Sequence, residues 1–282
     1  MKVVRSISKL RNILKKIKED RKTVGFVPTM GALHLGHLSL IRKAKKETDF
    51  VVVSIFVNPT QFGPSEDYKR YPCNFKKDRE ILEKEKIDLL FFPFAKTMYP
   101  KRFSTYVEET CLSKVLCGEF RPHHFRGVCT VVAKLFNIVE PDISYFGQKD
   151  YQQAQIIKRM VRDLNFPIKI KVLPIIREKD GLAMSSRNNY LSCEERKDAL
   201  CLYQALNRAK ELVRKGERNS ATVKKEMERI IKSVKKAKID YIEIVDADNL
   251  KEVKKTKGKV LVALAVWIRK ARLIDNFLLN VK

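Results

Sequence analysis

The sequence predicts an α/β protein, a doubly wound and mostly parallel sheet with a second, smaller α+β domain at its C-terminal end. Three observations carry this. Apolar, β-branched runs of strand length alternate with segments of helical spacing through residues 1–175, the pattern of βαβ units. Near Pro174 the pattern shifts to a polar loop, two helices and three strands, which divides the chain into 1–175 and 176–282. The longest apolar runs, around Val51–Val53 and from Val260 to Ile268, are strand-sized and fall short of the ~20 residues that cross a bilayer.

Taken in order, Leu10, Ile13, Leu14 and Ile17 lie at helical spacing within 8–20, so an amphipathic helix precedes the first strand at 23–28. A helix from 36 to 47 (Leu38, Leu40, Ile41, Ala44) and a continuous apolar strand at 50–57 complete a βαβ unit. A helix at 74–86 and a third strand at 87–92 follow, whereas 105–122 carries no period and reads as scattered short elements. An apolar helix at 127–139, a strand at 142–146, a helix at 154–164 and a fifth strand at 168–173 close the larger domain. Beyond the polar loop at 181–191, Ser192 caps a helix over 194–215 with Glu195 at the reciprocal position. A helix at 221–235 and strands at 240–245, 259–268 and 275–279 make up the smaller domain.

Hydrophobic residues are 44% of the chain, too many for disorder. The six cysteines, at 73, 111, 117, 129, 193 and 201, form no CxxC pair and read as reduced thiols. Cys111, Cys117, His123, His124 and Cys129 match no common zinc spacing. Met1 to Ser6 contains no apolar stretch of signal-peptide length, so a cytoplasmic protein without a membrane partner is expected. The net charge of +26 suits an anionic ligand, a nucleic acid or the charged surface associated with growth at high temperature. The lysine blocks at 15–18, 235–238 and 254–257 lack interleaved aromatic rings for base stacking; solvated faces are the simpler reading, and no nucleic-acid partner is expected.

The organising stretch runs from Val24 to Leu40. A strand stops at Pro28, turns through Gly31 and enters a helix at Gly36, with His34 and His37 at the junction. The first N–H groups of a helix lack intrahelical partners and its dipole favours an anion, so a phosphate fits there. Asn58 to Pro64 is turn chemistry at the carboxyl end of the next strand, where open α/β sheets place ligands.

Strand, glycine turn, His-x-Gly-His and helix resemble the nucleotide-binding signature of adenylate-forming and nucleotidyl-transferring Rossmann-like enzymes. Met184-Ser185-Ser186-Arg187 resembles their second signature. Residues 28–37, 56–62, 121–128, 146–153 and 184–188 together closely resemble the pantothenate synthetase (pantoate–β-alanine ligase) family, in family order over nearly the whole chain. The resemblance implies a Rossmann-like homodimer that uses ATP and Mg²⁺ to form enzyme-bound pantoyl adenylate. Pyrophosphate leaves in that step, and the amine of β-alanine then displaces AMP.

Carried over by position, the resemblance makes His34, His37, Lys149 and Arg187 catalytic. They hold phosphates together with Ser185 and Ser186. Met184 falls near the adenine, Gly147 and Asp150 near adenine and ribose, and Pro28, Met30 and Gly36 in the ATP site, with Gly36 leaving room for the nucleotide. Gln61 and Gln153 grip pantoate, and Asp78 falls where the family has a carboxylate near magnesium, against a competing reading as a helix-surface aspartate. Imidazole N–H groups, backbone N–H groups of the helix near Gly36 and the charges of Lys149 and Arg187 would together hold a transition state that spreads negative charge over oxygens. The smaller domain is expected to close over ATP and keep water from the acyl adenylate. Cys117 and His123 depart from the family, which usually has Glu and Gly there. Two other readings share part of the pattern: an aminoacyl-tRNA-synthetase-like, RNA-directed protein, and a nucleotidyltransferase that matches well only at the first motif.

Overall fold

The computed structural model describes residues 1–64 and 66–281. The larger domain contains β1 (Lys2–Val4), α1 (Ile7–Glu19), β2 (Val24–Thr29), α2 (Leu35–Glu47), β3 (Phe50–Ile55), α3 (Phe75–Lys84) and β4 (Leu89–Phe91). It continues through α4 (Ala95–Met98), α5 (Cys117–Phe120), α6 (His124–Val139), β5 (Ile143–Gly147), α7 (Tyr151–Asp163) and β6 (Lys169–Leu173). Its six strands are all parallel, in the order β1-β4-β3-β2-β5-β6. From β2 the chain builds outward through β3 and β4, then crosses back to lay β5 and β6 on the other side. The carboxyl ends of β2 and β5 therefore flank the crevice where the strand order reverses, the place where such sheets bind ligands.

Five strands are legible in the sequence; the sixth, β1, is not. Three residues on a sheet edge are too few to show a period, and β1 is recognised only through its parallel pairing with β4. Helix α6 starts at His124 rather than 127 and is buried on most sides, as its composition predicts. Its early start has a purpose: a Cβ on Gly127 would stand 2.3 Å from the Thr60 carbonyl oxygen, so only glycine lets α6 press against the turn that carries Gln61.

The smaller domain holds α8 (Cys193–Asp198), α9 (Leu200–Arg214) and α10 (Ser220–Lys232) against an antiparallel sheet of β7 (Ala237–Asp246), β8 (Gly258–Ile268) and β9 (Ala271–Val281). The Ser192–Glu195 capping box forms as expected, but the single long helix is two, abutting at Ala199. β9 starts at Ala271 rather than 275, because the charged Arg272 belongs to the strand and bonds Asp240. The continuous apolar run of β8 is explained by burial on both faces. Val260, Val262, Leu264 and Val266 pack with α9 and α10, while Leu261 and Ala263 join the core of the larger domain. The two domains thus share a core, and the cleft lies where that core opens. Among the described residues no helix is long and apolar enough to cross a membrane.

Candidate active site

The loop from β2 to α2 is built by its own polar groups. His34 has extended backbone and caps α2: its Nδ1 accepts the Gly36 N–H (3.1 Å), and the His34 N–H is received by Nδ1 of His37 (3.3 Å). With both Nδ1 atoms accepting, each ring carries its proton on Nε2 and remains a donor. Burial, then the charge of Lys149, lowers the His34 pKa to about 4; burial, then His34 and Lys149, holds His37 well below its usual range. Both rings are therefore neutral N–H donors at neutral pH.

The geometry changes two expectations. The N–H groups of Gly36, His37 and Leu38 are already taken by His34, so these three backbone N–H groups are not free for a phosphate. The helix contributes its dipole, and the imidazoles contribute the hydrogen bonds. Gly36 serves packing as well as any nucleotide, since a Cβ there would meet the His34 ring at 2.8 Å.

Asp78 is not an exposed helix residue. It is 3% exposed, and its two oxygens accept the N–H groups of Ala32 (2.9 Å) and Leu33 (2.8 Å). It ties α3 to the loop that presents His34. Ser186 completes that attachment from the other side by donating to the Ala32 carbonyl (3.1 Å), while Ser185 accepts the Arg187 N–H (3.2 Å).

Apart from Asp78, every residue assigned from the sequence to ATP or pantoate lines one chamber of about 210 Å³. A second chamber of about 280 Å³ opens toward the smaller domain, and Lys149, Asp150, Gln153, Ser185 and Arg187 face both. Lys149 Nζ lies 3.4 Å from Asp150. A Cβ on Gly147 would meet nothing, so the end of β5 is open to a ligand. The smaller domain fixes this segment: Asn276 on β9 donates to the carbonyls of Gln148 (3.0 Å) and Lys149 (2.9 Å).

Gln61 is buried and oriented by Asn58, whose Nδ2 donates to Gln61 Oε1 (3.0 Å) and to the Gly127 carbonyl (3.1 Å). Tyr99 holds Asn58 in turn (2.7 Å). His124 donates from Nδ1 to the Gln61 carbonyl (2.8 Å) and accepts Arg121 Nη1 at Nε2 (3.1 Å), the neutral tautomer consistent with a pKa pushed well down by burial and then by Arg121. Asn58 and Asn276, and also Tyr71 and Asp67, which line the first and the second chamber, were not identified from the sequence. Only Asn58 carried a signal, as the residue before Pro59 in a turn at a strand end.

The two departures also find places. His123 sits at φ 64, a left-handed conformation that glycine, the residue expected there from the resemblance, would adopt without strain. Cys117 Sγ lies 3.3 Å from the Tyr241 hydroxyl and 3.5 Å from Arg272 Nη1. Arg272 keeps its bond to Asp240 (2.7 Å) but has Nη2 buried without a partner among the described residues, an unmet donor that a carboxylate at position 117 would satisfy.

Comparison with known proteins agrees with this geometry. The pantoate-beta-alanine ligase family profile matches residues 2–278. Pantothenate synthetase of Thermotoga petrophila is 58% identical over 280 residues, covering 99% of this chain and all of the relative. That of Caldicellulosiruptor saccharolyticus is 56% identical over 281 residues, with both chains fully covered. The crystal structure of pantothenate synthetase from Thermus thermophilus superposes with a TM-score of 0.94 at 45% identity, covering 98% of this chain and 99% of that one. Pantoate-beta-alanine ligase from Francisella tularensis, solved with beta-gamma ATP and beta-alanine, gives 0.79 at 38% identity, covering 99% and 97%. Family profile, full-length relatives and superposed structures all span nearly the whole chain, and it belongs to the pantoate-beta-alanine ligase family.

Proposed function

We propose that the two connected chambers are one active site, with ATP phosphates between His34, His37, Lys149 and Arg187 and pantoate between Gln61 and Gln153. The family's reaction is an ATP-dependent ligation of pantoate and β-alanine to pantothenate through an adenylate. The observation that supports this placement is that residues from opposite halves of the sequence, read as ATP- or pantoate-binding, line a single chamber.

The pantoate carboxylate attacks the α-phosphorus of ATP, and pyrophosphate leaves. Negative charge grows on oxygens, and Nε2–H of His34 and His37 can donate to it without first losing a proton. Lys149 and Arg187 add full charges. The two glutamines suit a hydroxy acid, since a neutral amide donates and accepts without burying another charge. Gln61 Nε2 rests 3.3 Å from Met30 Sδ, a weak acceptor that a substrate oxygen would readily replace. In the second step the amine of β-alanine attacks the acyl carbon and AMP leaves; the second chamber, with charges of both signs, leaves room for a zwitterion.

Magnesium fits only as a companion of the nucleotide. Among the described residues no three His, Cys, Asp or Glu side chains are grouped to hold a metal, and both oxygens of Asp78 are engaged by backbone N–H groups. An ion carried by ATP phosphates and water would supply charge neutralisation. We further read the domain boundary near residue 175 and the assembly as a homodimer through the larger domain. The test is direct: purified protein with ATP, Mg²⁺ and pantoate should release pyrophosphate, and AMP should accumulate with turnover only when β-alanine is added. Turnover without pantoate, or charging of tRNA, would refute the reading.

A further inference from the structure

The segment after Phe62 carries two adjacent acids, and each holds an arginine from a different part of the chain. Glu66 receives Arg121 through Nε (2.8 Å) and Nη2 (2.5 Å). Asp67 receives Arg187 through Nε (3.0 Å) and Nη2 (2.9 Å), and also the Tyr190 hydroxyl (3.1 Å). Arg187 and Asp67 are both mostly buried, and both border the second chamber. A buried guanidinium needs a counter-charge at all times, and its two-pronged grip on a carboxylate is the grip it takes on a phosphate.

We propose that Asp67 is a positioning residue, the resident counter-ion that holds Arg187 in its phosphate-binding geometry and yields it to ATP. This rests on the reading that Arg187 binds the nucleotide. Without Asp67, Arg187 would leave its rotamer or carry an unpaired charge in the ligand-free protein. With Asp67, the nucleotide must compete for it. Glu66 is anchored differently: its partner Arg121 is tied through His124 to the Gln61 carbonyl, so the segment stays attached while Asp67 lets go.

Calorimetric binding of a non-hydrolysable ATP analogue to the full chain tests this. Asp67→Asn should tighten the analogue roughly three- to tenfold, the scale of one partly buried ion pair, and lower the thermal midpoint of the ligand-free protein. Pantoate binding should be unchanged, whereas a purely structural role would weaken both ligands together. Asp67→Glu should move the affinity back toward wild type. Tyr190→Phe, which removes one bond to Asp67, should shift affinity the same way by about twofold and keeps the test open if Asp67→Asn does not fold. Unchanged or weaker binding in Asp67→Asn, or in Tyr190→Phe where Asp67→Asn is lost, overturns the proposal. Arg187→Ala separates the two failures. If it binds the analogue like wild type, the ATP-site reading is wrong; if it loses affinity while Asp67→Asn does not change, only the counter-ion proposal falls.

Discussion

His34 performs three tasks: its ring Nδ1 caps α2, its backbone N–H donates to His37, and its Nε2–H stays available in the chamber. Replacing His34 or Lys149 with alanine should slow adenylation by about 10²–10³, the range for losing one transition-state donor, as read from single-turnover pyrophosphate release. Neutrality of the histidines also sets a pH dependence of stability. His34 has a pKa of about 4 when folded and 6.5 when unfolded, so between these values the unfolded chain binds the extra proton and stability falls as pH falls. His37 and His124 are shifted the same way. Thermal midpoints should therefore drop from pH 7 to pH 5, and His34→Gln should reduce that drop; an equal drop in the variant would show that His34 does not carry it.

Elements place these residues through contacts that are few and specific. Asp78 ties α3 to the loop before α2, and Asp78→Ala should cost about 2–3 kcal/mol in urea unfolding by stranding two backbone donors. The Mg²⁺ concentration for half-maximal rate should stay the same, whereas a metal ligand at this position would raise it. Gly36→Ala separates packing from stability. The ~1 kcal/mol by which alanine outranks glycine in a helix offsets a disturbed cap of similar size, so the urea midpoint should change little. Adenylation should fall nonetheless, because the new Cβ displaces the His34 ring.

Across the whole molecule the smaller domain shares an apolar core with the larger one, and polar contacts beside that core end at the site. Asn276 grips the backbone of Gln148 and Lys149, and Ser186 reaches the loop beside His34. The closure over ATP expected from the sequence would rearrange these polar contacts while the shared core keeps the two domains together. Small-angle scattering should show a smaller radius of gyration with ATP and pantoate than without; an identical profile would argue for a fixed arrangement.

The sequence by itself determined the parallel sheet, the C-terminal change of pattern and the ligand-binding motifs, because strand and helix periods and turn residues are local properties. It also marked His34, His37, Gln61, Lys149, Gln153 and Arg187 through their motifs. Only the tertiary structure decided that β1 completes the sheet, that Asp78 holds a loop, that His34 consumes the backbone donors once expected to meet a phosphate, and that Asp67 and Glu66 face arginines far along the chain. Those outcomes depend on which groups meet across long separations, and a single charged or polar residue carries no periodic signal of the partner it will find.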